Sequence, residues 1–235
     1  MKIHKVLLCL AAIIITALPL YSEVNHGDAA GAGKRMAVFL NTGAGIAYNV
    51  YLEDAQNELV DNFEYTTAFR EVDDKSGGAW GYTSVGLEPR YTSGNIVYGV
   101  PLAYFNLSDS RRVLVNGASV IESEAILSIW SVSCTAFYKI NRPDSNYLLL
   151  GGGAGIYFGT IKWELVGVSD SDTKWTIGWQ TGIEYHWVWG NVDIYTGLTS
   201  RFAEIINFKV HSDEKSNMIA GLTGLHFNIG AGYSF

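Results

Sequence analysis

The chain has 235 residues, including 26 Gly, 7 Trp, 14 Tyr and 10 Phe; 48% of it is apolar and only 17% charged. Soluble domains average about 25% charged residues, and a chain this rich in aromatics is not a disordered one. Two Cys exclude a disulfide framework, and a net charge of −7 without clustered Lys and Arg excludes a nucleic-acid binder.

The N-terminal segment Met1 to Ser22 opens with Lys2 and Lys5 and continues as an uncharged apolar run from Val6 to Leu20. Such a run is shorter than the ~20 residues of a spanning helix and reads as a secretory signal peptide. The expected organisation is a signal peptide over 1–22, a lead-in over 23–35 and one domain over 36–235. Cys9 lies inside the apolar run, not at its end after small residues, so it is not a lipoprotein cysteine. Cys134, alone in the mature chain, reads as a small packed or lipid-facing residue.

From residue 36 onward the pattern alternates with period 2, the signature of strands that separate two environments. In 36–50, Met36, Val38, Leu40, Ile46 and Tyr48 oppose Ala37, Asn41, Gly43 and Gly45. In 80–91, Thr83, Val85, Leu87 and Tyr91 oppose Tyr82, Ser84, Glu88 and Arg90. Ile96, Tyr98, Val100, Leu102 and Tyr104 form one face of 96–105. In 124–140, Trp130, Val132, Cys134, Ala136 and Tyr138 oppose Ser131, Ser133, Thr135 and Lys139. In 147–163, Leu148, Leu150, Ala154, Ile156 and Phe158 oppose Gly151, Gly153, Gly155, Tyr157 and Gly159. The segments 174–188, 192–202 and 218–235 repeat the split, with Glu184 and His186, Asp193 and Arg201, and His226 and Asn228 on their polar faces.

Eight such strands, of roughly 10 to 18 residues, predict an all-β, eight-stranded antiparallel up-and-down transmembrane β-barrel. The connections alternate in length. Loops are expected near 51–79, 106–122, 164–173 and 203–216, and turns at 92–95, 141–146 and 189–191. Outer-membrane barrels sort their loops this way, with short periplasmic turns and long extracellular loops. A lipocalin-like soluble barrel would place Trp130, Trp175, Trp179 and Trp187 inside, where a narrow eight-stranded interior has little room for them. Tyr91, Tyr98, Tyr138, Tyr147, Trp187 and Trp189 adjoin the short turns and are expected in an interfacial girdle.

The C-terminal run Gly230-Ala231-Gly232-Tyr233-Ser234-Phe235 resembles the last strand of small bacterial outer-membrane barrels, as do Gly151 to Tyr157 and Gly182-Ile183-Glu184-Tyr185. The resemblance is to the OmpW, OmpX and OmpA-like group, with OmpW-like proteins slightly preferred. It implies an outer-membrane location and handling by periplasmic chaperones. It also implies an assembly signal in Phe227, Ile229, Tyr233 and Phe235, read by the barrel-assembly machinery. From OmpW-like proteins comes the expectation that small hydrophobic solutes pass through the lumen.

Two sets of inward residues are the candidate site. Glu88, Arg90, Lys139, Glu184, His186 and Asp193 fall near the short-turn end, where charges in a narrow lumen must be paired. They predict either a plug or a constriction. Tyr82, Phe105, Tyr157, Tyr195 and Arg201 are expected to line a looser upper lumen. The acidic segment 53–75 is a surface feature that could serve adhesion to a host ligand. His211-Ser212-Asp213 offers the residue types of a lipid-modifying enzyme, but sequence neighbours rarely form a triad, so no catalytic residue is expected. No metal or cofactor is implied. The leading expectation is therefore a narrow pore. The alternative is a plugged structural or adhesive barrel acting through its outer loops.

Overall fold

The computed structural model describes residues 35–48, 71–72, 79–115, 119–141, 146–165, 168–210 and 213–235, all within the unit Lys34–Phe235. The signal-peptide segment, nearly all of the lead-in, most of 53–75 and the pair His211-Ser212 lie outside these residues. The described residues form strands β1 (Arg35–Tyr48), β2 (Glu71–Val72), β3 (Ala79–Ser93), β4 (Ile96–Gly99), β5 (Leu102–Val115) and β6 (Ser119–Asn141). They continue as β7 (Tyr147–Leu165), β8 (Val168–Trp189), β9 (Val192–Phe202), β10 (Glu204–Val210), β11 (Asp213–Gly221) and β12 (Thr223–Ser234).

Antiparallel pairing closes a ring. β1 pairs with β3 and β12; β9 joins β12 to β8; β7 and β6 follow; and β4 with β5 closes the gap between β6 and β3. β4 and β5 form one wall strand interrupted at Val100-Pro101, where proline has no N–H to give to a ladder. The ring thus has eight wall strands, as the alternation predicts. Paired residues followed once around it run from Tyr147 through His186, Tyr195, Gly230, Asn41, Gly86, Ala103 and Ser131 to Tyr157. The path starts at 147 and returns to β7 at 157, ten residues further along. A stagger of that size in eight strands sets a tilt of about 40°.

The turns predicted at 92–95 and 189–191 are two-residue hairpins with Gly94 (φ 60°) and Gly190 (φ 62°) in first position. The following Asn does not have positive φ, which matches the II′ geometry that suits strand twist. Two of the expected long loops are instead largely strand. β5 and β6 pair from Leu102↔Val132 to Val115↔Ser119, and β7 and β8 pair to Leu165↔Val168. β6 has 23 residues and β8 has 22, about twice the 9–11 that cross a bilayer. Within the expected loops, 108–112 and 169–173 are polar at every position, so no two-faced pattern marks them as strands. In the expected loop at 203–216, Glu204–Val210 and the residues from Asp213 onward are the paired strands β10 and β11.

Side chains divide as the membrane reading requires. Leu40, Ile46, Val85, Trp130, Leu150, Ile156, Trp175, Ile177, Trp179, Leu198, Phe227 and Ile229 are exposed on the outside, whereas Glu88, Arg90, Glu184, His186 and Asp193 are buried inside. Cys134 points outward. Along β5 to β8 the outer face changes character within two residues. Tyr104, Trp130, Phe158 and Trp175 pair in register, and the next outward row is Asn106, Ser128, Thr160 and Thr173. Hydrogen bonds cross that edge and row: Tyr104 OH and Ser128 Oγ are 3.1 Å apart, and the Thr160 and Thr173 hydroxyls 2.9 Å. Rings at such an edge suit the headgroup zone. Tyr98, Tyr138 and Trp189 are exposed at the opposite end, as expected of a girdle.

Candidate functional site in the barrel lumen

The lower lumen is an ionic layer built from inward positions of four wall strands. Arg90 on β3 is its centre. Its Nη1 donates to Glu184 Oε2 at 2.6 Å, and its Nη2 donates to Glu88 Oε2 at 2.8 Å and Glu184 Oε1 at 3.0 Å. The Glu184 pairing is therefore bidentate, the strong geometry for a guanidinium and a carboxylate. His186 bridges the acids: Nδ1 lies 2.7 Å from Asp193 Oδ1 and Nε2 lies 3.1 Å from Glu184 Oε2. Tyr147 donates its hydroxyl to Asp193 Oδ2.

Aromatic rings enclose these charges. The Arg90 guanidinium lies 4.7 Å from the Phe39 centroid, 5.1 Å from Tyr195 and 5.6 Å from Phe137. His186 is stacked between Tyr147 at 4.3 Å and Tyr195 at 5.0 Å. These three residues are paired neighbours on β7, β8 and β9, so register alone brings them together.

Five of the six predicted charged residues are thus in direct contact. Lys139 stands at the rim, half-buried, with Nζ 4.1 Å from the Tyr147 ring centroid. Two expectations are corrected. Tyr147 is not a girdle residue but a lumen residue, because its odd position on β7 shares the inward face of Leu149 and Tyr157. Tyr195 does not line the upper lumen. The oblique register places it beside His186, in a cluster with Ala37 and Phe39.

The upper lumen is packed, where the sequence suggested a looser space. Tyr82, Phe105 and Tyr157 join Leu107, Leu127, Ile129, Ile161 and Trp163 from the ring in one apolar core. Ala203, Ile205, Phe208, Ala220 and Leu222, from the β10–β11 hairpin and its flanks, complete it. A Cβ on Gly159 would lie 2.5 Å from Ile205 Cδ1 and 3.2 Å from Phe208 Cζ, so the hairpin occupies the space this glycine leaves. A bulge makes this possible. Register shifts between Ile205 and Phe208, where Asn207 adopts φ 63°, and the insertion turns both side chains to one face. Strict alternation would have opposed them, so no period-2 reading could have found this plug.

Arg201 sits below that core, with Nε donating to Gln180 Oε1 at 3.0 Å and its guanidinium 4.7 Å from the Phe105 centroid. Between Arg201 and Arg90 is a middle zone of Asn41, Ser84, Thr135, Thr199, His226 and Asn228. These residues lie on the predicted polar faces but were not singled out as a site. Ser84 Oγ and His226 Nε2 are 2.8 Å apart, and the imidazole stacks on Tyr82 at 5.5 Å. Among the described residues no carboxylate hydrogen-bonds His226 Nδ1, so the pair lacks the third member of a hydrolytic triad.

A closed antiparallel ring with an apolar exterior and an ionic interior satisfies every condition for crossing lipid on strands. The chain is an integral β-barrel membrane protein of the outer-membrane type. Solved structures similar to it are small outer-membrane barrels. Ail, the attachment invasion locus protein of Yersinia pestis, is 15% identical, with 87% of this chain and 100% of that chain covered and a TM-score of 0.44. Neisserial surface protein A is 15% identical over 86% of this chain and 99% of its own, with a TM-score of 0.45. OprG from Pseudomonas aeruginosa is 12% identical over 87% and 96%, with a TM-score of 0.44. These likenesses add nothing to the architecture described above. No protein-family model matches the chain, and no curated protein matches it.

Proposed function

We propose that the protein is a sealed outer-membrane barrel that works from its extracellular face, as a surface scaffold or adhesive protein. The observation that carries this reading is the double closure of the lumen, by the Arg90 layer below and by the Ile205 and Phe208 plug above. The tall wall of β5 to β8 supports it. Those strands pass the aromatic edge and continue with a polar outer face that includes Glu124, Lys162 and Glu164, a water-facing surface of the kind an adhesive reading needs.

A narrow pore for small hydrophobic solutes is the second reading. One observation favours it: the upper plug belongs to a hairpin outside the ring, and its displacement leaves only the ionic layer. In either case Phe227, Ile229, Tyr233 and Phe235 face outward, where they can contact lipid and be read by the barrel-assembly machinery.

Planar-bilayer conductance of the refolded mature chain tests the choice, beside a variant lacking the β10–β11 hairpin and one with Glu88, Glu184 and Asp193 neutralised. The expected result is no steady current from the wild type, with folding confirmed by heat-modifiable gel mobility. Reproducible steps from the wild type overturn the sealed reading, and steps that change in the neutralised variant place a constriction at the ionic layer.

A further inference from the structure

The middle of the lumen contains a cavity lined by Asn41, Ser84, Glu88, Thr135, His226 and Asn228, with Arg201 at its upper side. The cavity volume is about 40 Å³, and one water needs roughly 10–15 Å³. Four buried polar atoms on this lining have no hydrogen-bond partner among the described residues: Glu88 Oε1, Thr135 Oγ1, His226 Nδ1 and Asn228 Oδ1. Their residues are at most 8% exposed.

Each of these residues spends its other polar capacity on protein or has none to spend. Glu88 Oε2 accepts from Arg90, His226 Nε2 meets Ser84, and Asn228 Nδ2 donates to Tyr195 OH at 3.3 Å. The remaining atoms are therefore not disordered ends but the free valences of anchored groups. Gly99 shows how closely two of them gather. A Cβ there would lie 2.4 Å from Glu88 Oε1 and 2.6 Å from Thr135 Oγ1, so only glycine lets both oxygens approach over one backbone position. Leaving a buried polar atom unpaired is costly, and protein interiors satisfy such atoms with ordered water that makes about three hydrogen bonds.

We infer that this chamber is a hydration site holding about three ordered waters, which supply the partners of Glu88 Oε1, Thr135 Oγ1, His226 Nδ1 and Asn228 Oδ1. Glu88, whose Oε2 accepts from Arg90, ties the waters to the ionic layer below. The ionic and aromatic layers confine them from both sides. Their chemistry follows from the lining. Three of the atoms are oxygens that accept, the threonine oxygen can also donate, and the imidazole nitrogen can do either. A cluster of small donor-acceptors meets that set.

Substitution of Thr135 discriminates a wet chamber from a dry one, because Val is close in shape but cannot bind water. If the hydroxyl holds a water, Thr135→Val lowers the heat-modifiable transition by about 2–4 °C, and Thr135→Ser stays near wild type. A raised transition in Thr135→Val means the hydroxyl was an unsatisfied group in a dry cavity and overturns the inference. Crystallographic density of the wild-type barrel gives a second readout that requires no variant. Discrete solvent peaks at hydrogen-bond distance from the four atoms are expected. A featureless cavity, or a single ion in place of waters, overturns it.

Discussion

At the short-turn end the lumen is closed by charge, and at the long-loop end by apolar packing. The lower closure uses Glu88 and Arg90 of β3, Tyr147 of β7, Glu184 and His186 of β8 and Asp193 of β9, every one an inward position of a wall strand. The upper closure draws Ile205 and Phe208 from a hairpin that pairs only with itself. The difference lies in what holds each seal. The ionic seal is inseparable from the wall, since register sets its distances. The apolar seal is an addition to a wall that is already closed without it.

The two seals should therefore fail differently. Replacing Arg90 with Ala leaves Glu88 and Glu184 buried without a cation, and breaking a buried pair this way costs about 3–5 kcal/mol. The Arg90→Ala barrel is expected to lose much of its heat-modifiable fraction in urea titration. Adding Glu88→Gln and Glu184→Gln should restore most of it. A single variant as stable as wild type would mean the ionic layer is not what closes the lower lumen.

Phe208→Ala tests the upper seal. Truncating a buried Phe costs about 3–5 kcal/mol where the site is rigid, and a separate hairpin can relax, so the low end is expected. The sharper readout is location: limited proteolysis should quicken within 204–221 while the gel mobility of the folded ring is unchanged. Equal loss of ring stability would show that the plug and the wall fold as one unit.

The smallest effects come from two glycines of β7. A Cβ on Gly153 would lie 1.9 Å from the Cys134 carbonyl oxygen, whereas one on Gly159 meets first the tip of Ile205 at 2.5 Å. Backbone cannot turn aside and a side-chain tip can. Gly153→Ala is expected to cost about 2 kcal/mol, within the usual range of overpacking, and Gly159→Ala less than about 1 kcal/mol. The reverse order in thermal melts would show that the upper plug is the more rigid of the two regions.

How far the sequence reached follows the same division. The parity of Glu88, Arg90, Glu184, His186 and Asp193 was readable because a strand has only two faces, and a charge on the face opposite Trp and Ile has one place to go. Closeness to a turn suggests a girdle position for Tyr147, but its parity on β7 points inward, to Asp193 and His186. Tyr195 was misplaced in height, because the stagger of the barrel, which no single strand reveals, pairs it with His186. The strand extensions of β5 to β8 read as loops in the sequence, because above the aromatic edge the pattern changes sense: Asn106, Ser128 and Thr160 face outward while Leu107, Leu127 and Ile161 face the core.

An eight-stranded barrel with lipid outside and charges inside is legible from the chain alone, because period-2 burial against two solvents is written locally in each strand. How the lumen is filled comes from the tertiary structure alone. Register aligns Arg90 with its carboxylates from distant strands, and a one-residue bulge at Asn207 turns Ile205 and Phe208 together into the upper core. Both depend on relative displacements of one or a few residues between strands. Such displacements leave the local pattern unchanged while moving side chains by whole contacts.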